Sequence, residues 1–209
     1  MIKVGILLSG CGFYDGSDVA EAVLSALAVE RSGARAVHIA PEMPQMHTVD
    51  HLTGAESEGV ERQVLGESAR VARRVRSLTE QWSGELGALI IPGGHGAVKN
   101  LMTHFAQLGE TRELVPQVKD LLADLTGRKA PIGSISLGHT VVQTFFGEPL
   151  SEEDMRMASS DVVVDEARRL VFTPGFLTGA SLPEVAAGID KMVQALLSLP
   201  GRELHVMPR

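Results

Sequence analysis

Ser136 stands between a short apolar run, Ile132-Gly133-Ser134-Ile135, and a stretch with helical spacing that begins at Leu137-Gly138. That order predicts a strand, a tight turn and a helix. Such a turn lifts one side chain over the carboxyl ends of a sheet and aims the first free N–H groups of the helix at a ligand. A lifted serine is a candidate nucleophile, but its hydroxyl attacks only when a base takes its proton. His139, three residues on, has two readings: that base, or a packing or solvent-facing residue. Only the second glycine of Gly-x-Ser-x-Gly is present, as Gly138, so Ser136 also reads as a small residue that fits a tight turn.

Two further loops hold groups that could work with an elbow. Pro92-Gly93-Gly94-His95-Gly96 has three glycines in five residues, which lets the backbone approach a ligand closely and offers consecutive N–H groups to an anion. Within it His95 is either a donor or proton relay or an exposed histidine. Ser9-Gly10-Cys11-Gly12 holds the only cysteine, which is either a displaced thiol nucleophile or a small buried hydrophobe. Glu21 is either a carboxylic acid held protonated beside a nucleophile or an ordinary carboxylate in a first helical turn. Arg70, Arg73, Arg74 and Arg76 form the basic cluster, read as a solvated helix face or as a phosphate contact.

These residues need a scaffold, and the hydrophobic pattern supplies one. Apolar runs at 4–8, 88–91 and 132–135 predict buried strands, and 36–40 a second strand after the first helix. Ser17 is the expected N-cap of a helix with Asp18 and Glu21 in its first turn, closed by Gly33. Residues 41–58 predict a long loop, 60–74 a helix, and 77–79 a connecting piece. Helices are expected at 100–108, 116–125 and 182–199, and an antiparallel ribbon from 162–164 and 170–173. Alternating strands and helices fix the class as α/β with a mainly parallel sheet. In such a sheet a ligand meets the loops after the first, third and elbow strands, which hold Cys11 and Glu21, Gly94 and His95, and Ser136.

The 209 residues, 44% of them hydrophobic, are expected to form one domain over 1–209 with an adequate core of its own. A net charge of -7 argues for solubility and against nucleic-acid or anionic-membrane partners. One cysteine excludes an internal disulfide and fits a reducing compartment. With no apolar run of membrane-spanning length and no signal-peptide layout before the first strand, a cytoplasmic protein is expected. The seven histidines lack metal-ligand spacing and no Gly-x-Gly-x-x-Gly turn is present, so neither a metal nor a cofactor is expected.

Several segments, in order along the chain, resemble the ThiJ/PfpI superfamily of class I glutamine amidotransferase-like proteins, and within it the ElbB subgroup associated with isoprenoid biosynthesis. They are Leu8-Ser9-Gly10-Cys11-Gly12-Phe13-Tyr14-Asp15-Gly16-Ser17, Glu21-Ala22-Val23, His51-Leu52-Thr53-Gly54, Pro92-Gly93-Gly94-His95-Gly96-Ala97 with Lys99-Asn100-Leu101, and Gly188-Ile189-Asp190-Lys191. The resemblance implies a flavodoxin-like three-layer sandwich, usually a homodimer, with a cysteine at a nucleophile elbow and a glutamate from the first helix beside it. It also implies glyoxalase- or hydrolase-type action on small reactive carbonyl or acyl compounds. By that resemblance Glu21 is the glutamate, and Gly94 and the backbone of Leu137 are the oxyanion donors. This chain departs at the elbow, where Gly133-Ser134-Ile135-Ser136-Leu137-Gly138 puts serine in the cysteine's place. A small-molecule-binding or regulatory protein that keeps the pocket is therefore the second reading.

Overall fold

The computed structural model describes residues 1–79, 82, 84–103, 113–147 and 157–199. Strand β1 (Lys3–Leu7) lies near the middle of a seven-stranded sheet because its apolar residues can be covered on both faces. It pairs in parallel with β2 (Arg35–Ala40), Val4 opposite Ala36, and with β4 (Ala88–Ile91), Val4 opposite Ala88. The full order is β3-β2-β1-β4-β5-β7-β6. Here β3 is Val75–Ser77, β5 Ile132–Ile135, β6 Val163–Asp165 and β7 Leu170–Thr173. Only β6 runs antiparallel, as the second arm of the expected ribbon with β7. This is the α/β flavodoxin-like architecture that the alternation of elements predicts.

Alternating side chains divide the core between two helical layers. Val4 and Ile90 pack under α1 (Val19–Arg31) and α6 (Leu182–Ser198), joined by Val29, Ile189 and Met192. Leu7, Leu89 and Ile91 point the other way, toward α4 (Pro116–Gly127), whose Val118, Leu121, Leu122 and Leu125 form the expected buried stripe. That face also carries Val141 of α5 (Gly138–Phe146) and Ala97 of α3 (His95–Asn100). Beside α1, Val64 of α2 (Val64–Val71) covers Ile6, Leu8 and Ala40.

Four local expectations are corrected. The N-cap of α1 is Asp18, whose Oδ1 accepts from the Glu21 N–H at 3.0 Å; Ser17 is buried instead, its Oγ accepting from the Ser9 N–H at 2.9 Å. The helix expected over 60–74 shortens to α2 because the chain turns extended at Ala72. It then enters β3, a strand not expected there, whose Val75 pairs with His38 and which takes only Ser77 from the connecting piece expected at 77–79; Leu78 and Thr79 form a turn. The helix expected at 100–108 starts earlier, as α3, and Met102 bridges to Leu114; residues 104–108 lie outside the described ones.

Helix α6 can lie close to β7 because Gly188 has no side chain. A Cβ there would run into the Ser159 carbonyl and come within 2.7 Å of Thr173 Oγ1. Gly188→Ala is therefore expected to destabilise the fold by ~1–3 kcal/mol as an overpacked contact, a drop of several degrees in Tm. An unchanged thermal unfolding curve would contradict this close approach.

Candidate functional site

The elbow is built by backbone, not by side chains. Ser136 sits at φ 50° directly after β5, one of three described non-glycine residues in the left-handed region. Holding it there costs on the order of 1–3 kcal/mol, a strain that needs surrounding support. Its N–H donates to the Thr173 carbonyl at 3.1 Å, and its own carbonyl accepts from the His139 N–H at 3.0 Å. Gly138 lets α5 pass against the loop after β4, since a Cβ there would meet the carbonyls of Ile91 and Pro92. The result is a buried hydroxyl at the carboxyl end of β5, with no hydrogen-bond partner for its Oγ among the described residues.

Glu21 arrives from the first turn of α1 and is 1% exposed. One oxygen, Oε2, accepts from the Gly93 N–H at 2.7 Å. The other, Oε1, accepts from the Phe176 N–H at 3.2 Å, in the 3-10 turn Gly175–Thr178 that follows β7. A Cβ on Gly93 would lie 2.7 Å from both Glu21 Oε2 and Ser136 Oγ, so the absent side chain is what lets the two groups face each other. Burial pushes the carboxyl up to about 8, helped by the charge of Asp18 and opposed by the Gly93 and Phe176 N–H groups. Glu21 is therefore protonated at neutral pH and is no ordinary first-turn carboxylate.

The remaining predicted residues separate around this pair. Gly94, at φ 92°, packs its Cα against the backbone of Gly16 to Asp18, where any side chain would collide. The N–H groups of Gly94 and Leu137 donate to no acceptor among the described residues. His139 turns away from the role of base: its Nδ1 is 2.6 Å from Ser134 Oγ and its ring packs on Phe172 at 4.5 Å. His95 opens α3 with its ring Nδ1 3.0 Å from the Phe13 carbonyl, edge-on to Phe13 and stacked beside Tyr14. Cys11 is half-buried, which raises its thiol pKa; the charges that act on it are Arg70, Glu67, Asp15 and Arg62, none of them at the elbow. Among the described residues no group of three His, Cys, Asp or Glu is placed to hold a metal.

Two contributors had no signal in the sequence beyond their place in a motif. Asn100 is fully buried, and its Nδ2 donates to the Ser9 and Asp15 carbonyls at 2.7 and 2.8 Å while its Oδ1 accepts from Met46 N–H at 3.0 Å. Buried Asp15 holds the other side of this knot, its Oδ2 accepting from the Val49 N–H at 2.8 Å and its Oδ1 3.7 Å from His51 Nε2. The loop after β1, the segment 41–58 and the end of α3 are thereby fixed to one another. Phe176, the second donor to Glu21, lies 155 positions from it and no local pattern marks it.

A strained elbow over a mostly parallel sheet, facing a buried glutamate from the first helix, defines the class I glutamine amidotransferase-like α/β proteins. No protein-family model matches the chain. It is 33% identical to the rat ES1 protein homolog, mitochondrial, over 96% of this chain and 85% of the relative. It is likewise 33% identical to the human glutamine amidotransferase-like class 1 domain-containing protein 3, mitochondrial, over 96% of this chain and 84% of the relative. The chain belongs to this ES1 family of glutamine amidotransferase-like class 1 proteins. A crystal structure of an isoprenoid biosynthesis protein with amidotransferase-like domain from Ehrlichia chaffeensis superposes with a TM-score of 0.86 at 27% identity, covering 94% of this chain and 99% of that one. Drosophila melanogaster DJ-1beta shares the fold, with a TM-score of 0.52 at 17% identity over 97% of this chain and 92% of that one.

The raised Glu21 pKa gives a signed prediction. The folded protein keeps this proton up to about pH 8, whereas the unfolded chain releases it near 4.5, so between those values the folded state binds more protons. Stability contributed by Glu21 is complete below about 4.5, falls as pH rises to about 8 and is flat above, with a slope of at most about 1.4 kcal/mol per pH unit. Glu21→Gln removes this dependence. It also costs ~1–3 kcal/mol, because either amide orientation sets an NH2 against the Gly93 or Phe176 N–H donor. Unfolding curves from pH 4 to 9 check both; a variant that keeps the wild-type pH slope would refute the assignment.

Proposed function

We propose that the protein is a glyoxalase- or hydrolase-type member of its family that acts on small reactive carbonyl or acyl compounds, with Ser136 in the place that the family resemblance gives to a cysteine. One observation carries this reading: a protonated, buried Glu21 carboxyl faces the Ser136 hydroxyl across Gly93, with free backbone N–H groups beside the elbow. In a carbonyl addition, Ser136 Oγ bonds to the carbonyl carbon while Glu21 gives its proton to the carbonyl oxygen and recovers one from the serine. The Gly94 and Leu137 N–H groups steady the oxygen as charge develops. The product is a hemiacetal, and Glu21 ends as it began. The cytoplasm as compartment and a homodimer as assembly complete the proposal; the rat and human relatives are named mitochondrial. Among the described residues no helix is long and apolar enough to cross a membrane.

The second reading is a binding or regulatory protein that keeps the pocket. What favours it is the histidine: His139 is bonded to Ser134, and Glu21 near neutrality already holds a proton, so among the described residues Ser136 has no separate base. Turnover of methylglyoxal, phenylglyoxal and small esters by the wild-type chain beside Ser136→Ala decides between the two. Equal rates would remove the serine as nucleophile.

Ser136→Cys tests the pocket apart from its nucleophile. A thiol near pKa 8.5 falls to roughly 3.5–7.5 when it faces a helix N-terminus, and needs no base once ionised. The expected outcome is rapid iodoacetamide labelling of the new cysteine near neutral pH, at least about tenfold faster than the half-buried Cys11 in the same molecule, with a gain in glyoxal turnover. An ordinary thiol pKa and no added turnover would favour the binding protein.

A further inference from the structure

A groove of about 640 Å³ lies over the amino-terminal half of β2, between α1 and the segment from the end of α2 into β3. It is away from the carboxyl ends of the strands where Glu21 and Ser136 meet. Its charged lining comprises Arg35, His38, Arg73, Arg74 and Arg76, with no acidic residue among the lining groups. Arg76 is engaged: its Nη1 donates to Glu85 Oε1 at 2.7 Å and its guanidinium lies 4.1 Å over the Trp82 ring. Arg35, Arg73 and Arg74 are exposed and have no ion pair or side-chain hydrogen bond among the described residues. Besides Glu85, which is taken up by Arg76, Glu30 borders the groove, accepting from the N–H of the lining residue Ala36 through Oε1 at 2.9 Å. Three unpaired guanidinium groups around one concavity are an exception in a chain of net charge -7.

The other half of the lining is apolar. Val23 and Ala26 of α1 and Val71 of α2 give the groove a hydrophobic wall. The volume is that of a small-ligand pocket, typically about 300–1,000 Å³. Guanidinium forks match phosphate oxygens in pairs, and an apolar wall beside them rewards a hydrocarbon portion. A nucleic acid would need a long basic stripe, which three arginines on an acidic chain do not make. We propose that this groove is a second binding site, for a small phosphate-bearing molecule of the organic diphosphate class, held by Arg35, Arg73 and Arg74 at its phosphates and by Val23, Ala26 and Val71 along its apolar part. His38, half-buried at the floor, has its pKa lowered by burial, with Glu30 opposing; it meets the ligand as a neutral hydrogen-bonding group near pH 7.

Calorimetric titration of the full chain with inorganic pyrophosphate and with hexyl diphosphate tests the site. The expected result is saturable binding of both, tighter for hexyl diphosphate and weakened by added salt. Arg73→Ala/Arg74→Ala weakens both by about tenfold or more while leaving the thermal unfolding curve in place, because these side chains hold no other group. Ala26→Trp fills the wall, keeps every charge, and brings hexyl diphosphate to the level of pyrophosphate. Absence of binding, or binding that ignores both variants, overturns the proposal. Retention on phosphatidylglycerol vesicles without affinity for free hexyl diphosphate assigns the cluster to a membrane surface and also overturns it. So does a double variant that changes the mass in solution while affinity for hexyl diphosphate stays intact, since the groove then belongs to a second copy.

Discussion

The Glu21 carboxyl group is the point on which the site depends. Its two oxygens take N–H groups from the loop after β4 and from the turn after β7, while its own backbone begins the helix that follows β1. Three connections that are far apart in sequence are thereby held at one place. A buried carboxyl in this setting is costly as an anion and tolerable as an acid, so the protonation state and the geometry fix each other. Gly93 completes the arrangement by leaving empty the one position where a side chain would separate the acid from the elbow.

Ser136 is held by the sheet and its neighbours. The strained φ survives because the Thr173 carbonyl takes its N–H and α5 is seated directly on the β4 loop. The strain has a directional effect. Along a strand, residues two apart share a face, so Ser134 and Ser136 would point the same way if β5 continued. The left-handed turn at Ser136 breaks that alignment and leaves Ser134 as the partner of His139.

The sequence disclosed the scaffold well, because long apolar runs such as Val4 to Leu8 and Ala88 to Ile91 have few alternatives to burial between helical layers. Motif spacing also placed Gly94 and Ser136 at the turns after β4 and β5, and His95 beside Gly94, where it is the first residue of α3. Short and edge elements were harder. Val75–Ser77 is three residues with an arginine in the middle, the composition of an exposed edge rather than of a core strand. Ser17 and Asp18 are both good caps, and only the distant Ser9, which takes the Ser17 hydroxyl, decides between them. For His139 the chain spacing was compatible with the elbow, but the competing hydroxyl of Ser134 was closer. The depth of Glu21 was invisible for a different reason: its second donor comes from Phe176, near the other end of the described chain.

Asn100 divides the long connection over residues 41–58 into two parts of unlike character. Met46 is tied to the Asn100 amide and Val49 to Asp15, so the stretch between them is pinned at both ends to buried side chains. Past Val49, His51 still reaches the loop after β1, its Nε2 accepting from the Tyr14 N–H at 3.2 Å, whereas residues 52–55 are closed among themselves, the Asp50 N–H donating to the Ala55 carbonyl and the Leu52 N–H to Asp50 Oδ1. An insertion within residues 52–55 can therefore be absorbed without disturbing the elbow, whereas the same insertion a few residues earlier would pull on Ser9 and Asp15 together. The connection bound to the loop after β1 can diversify at its margin while its base stays tied to Asn100 and Asp15.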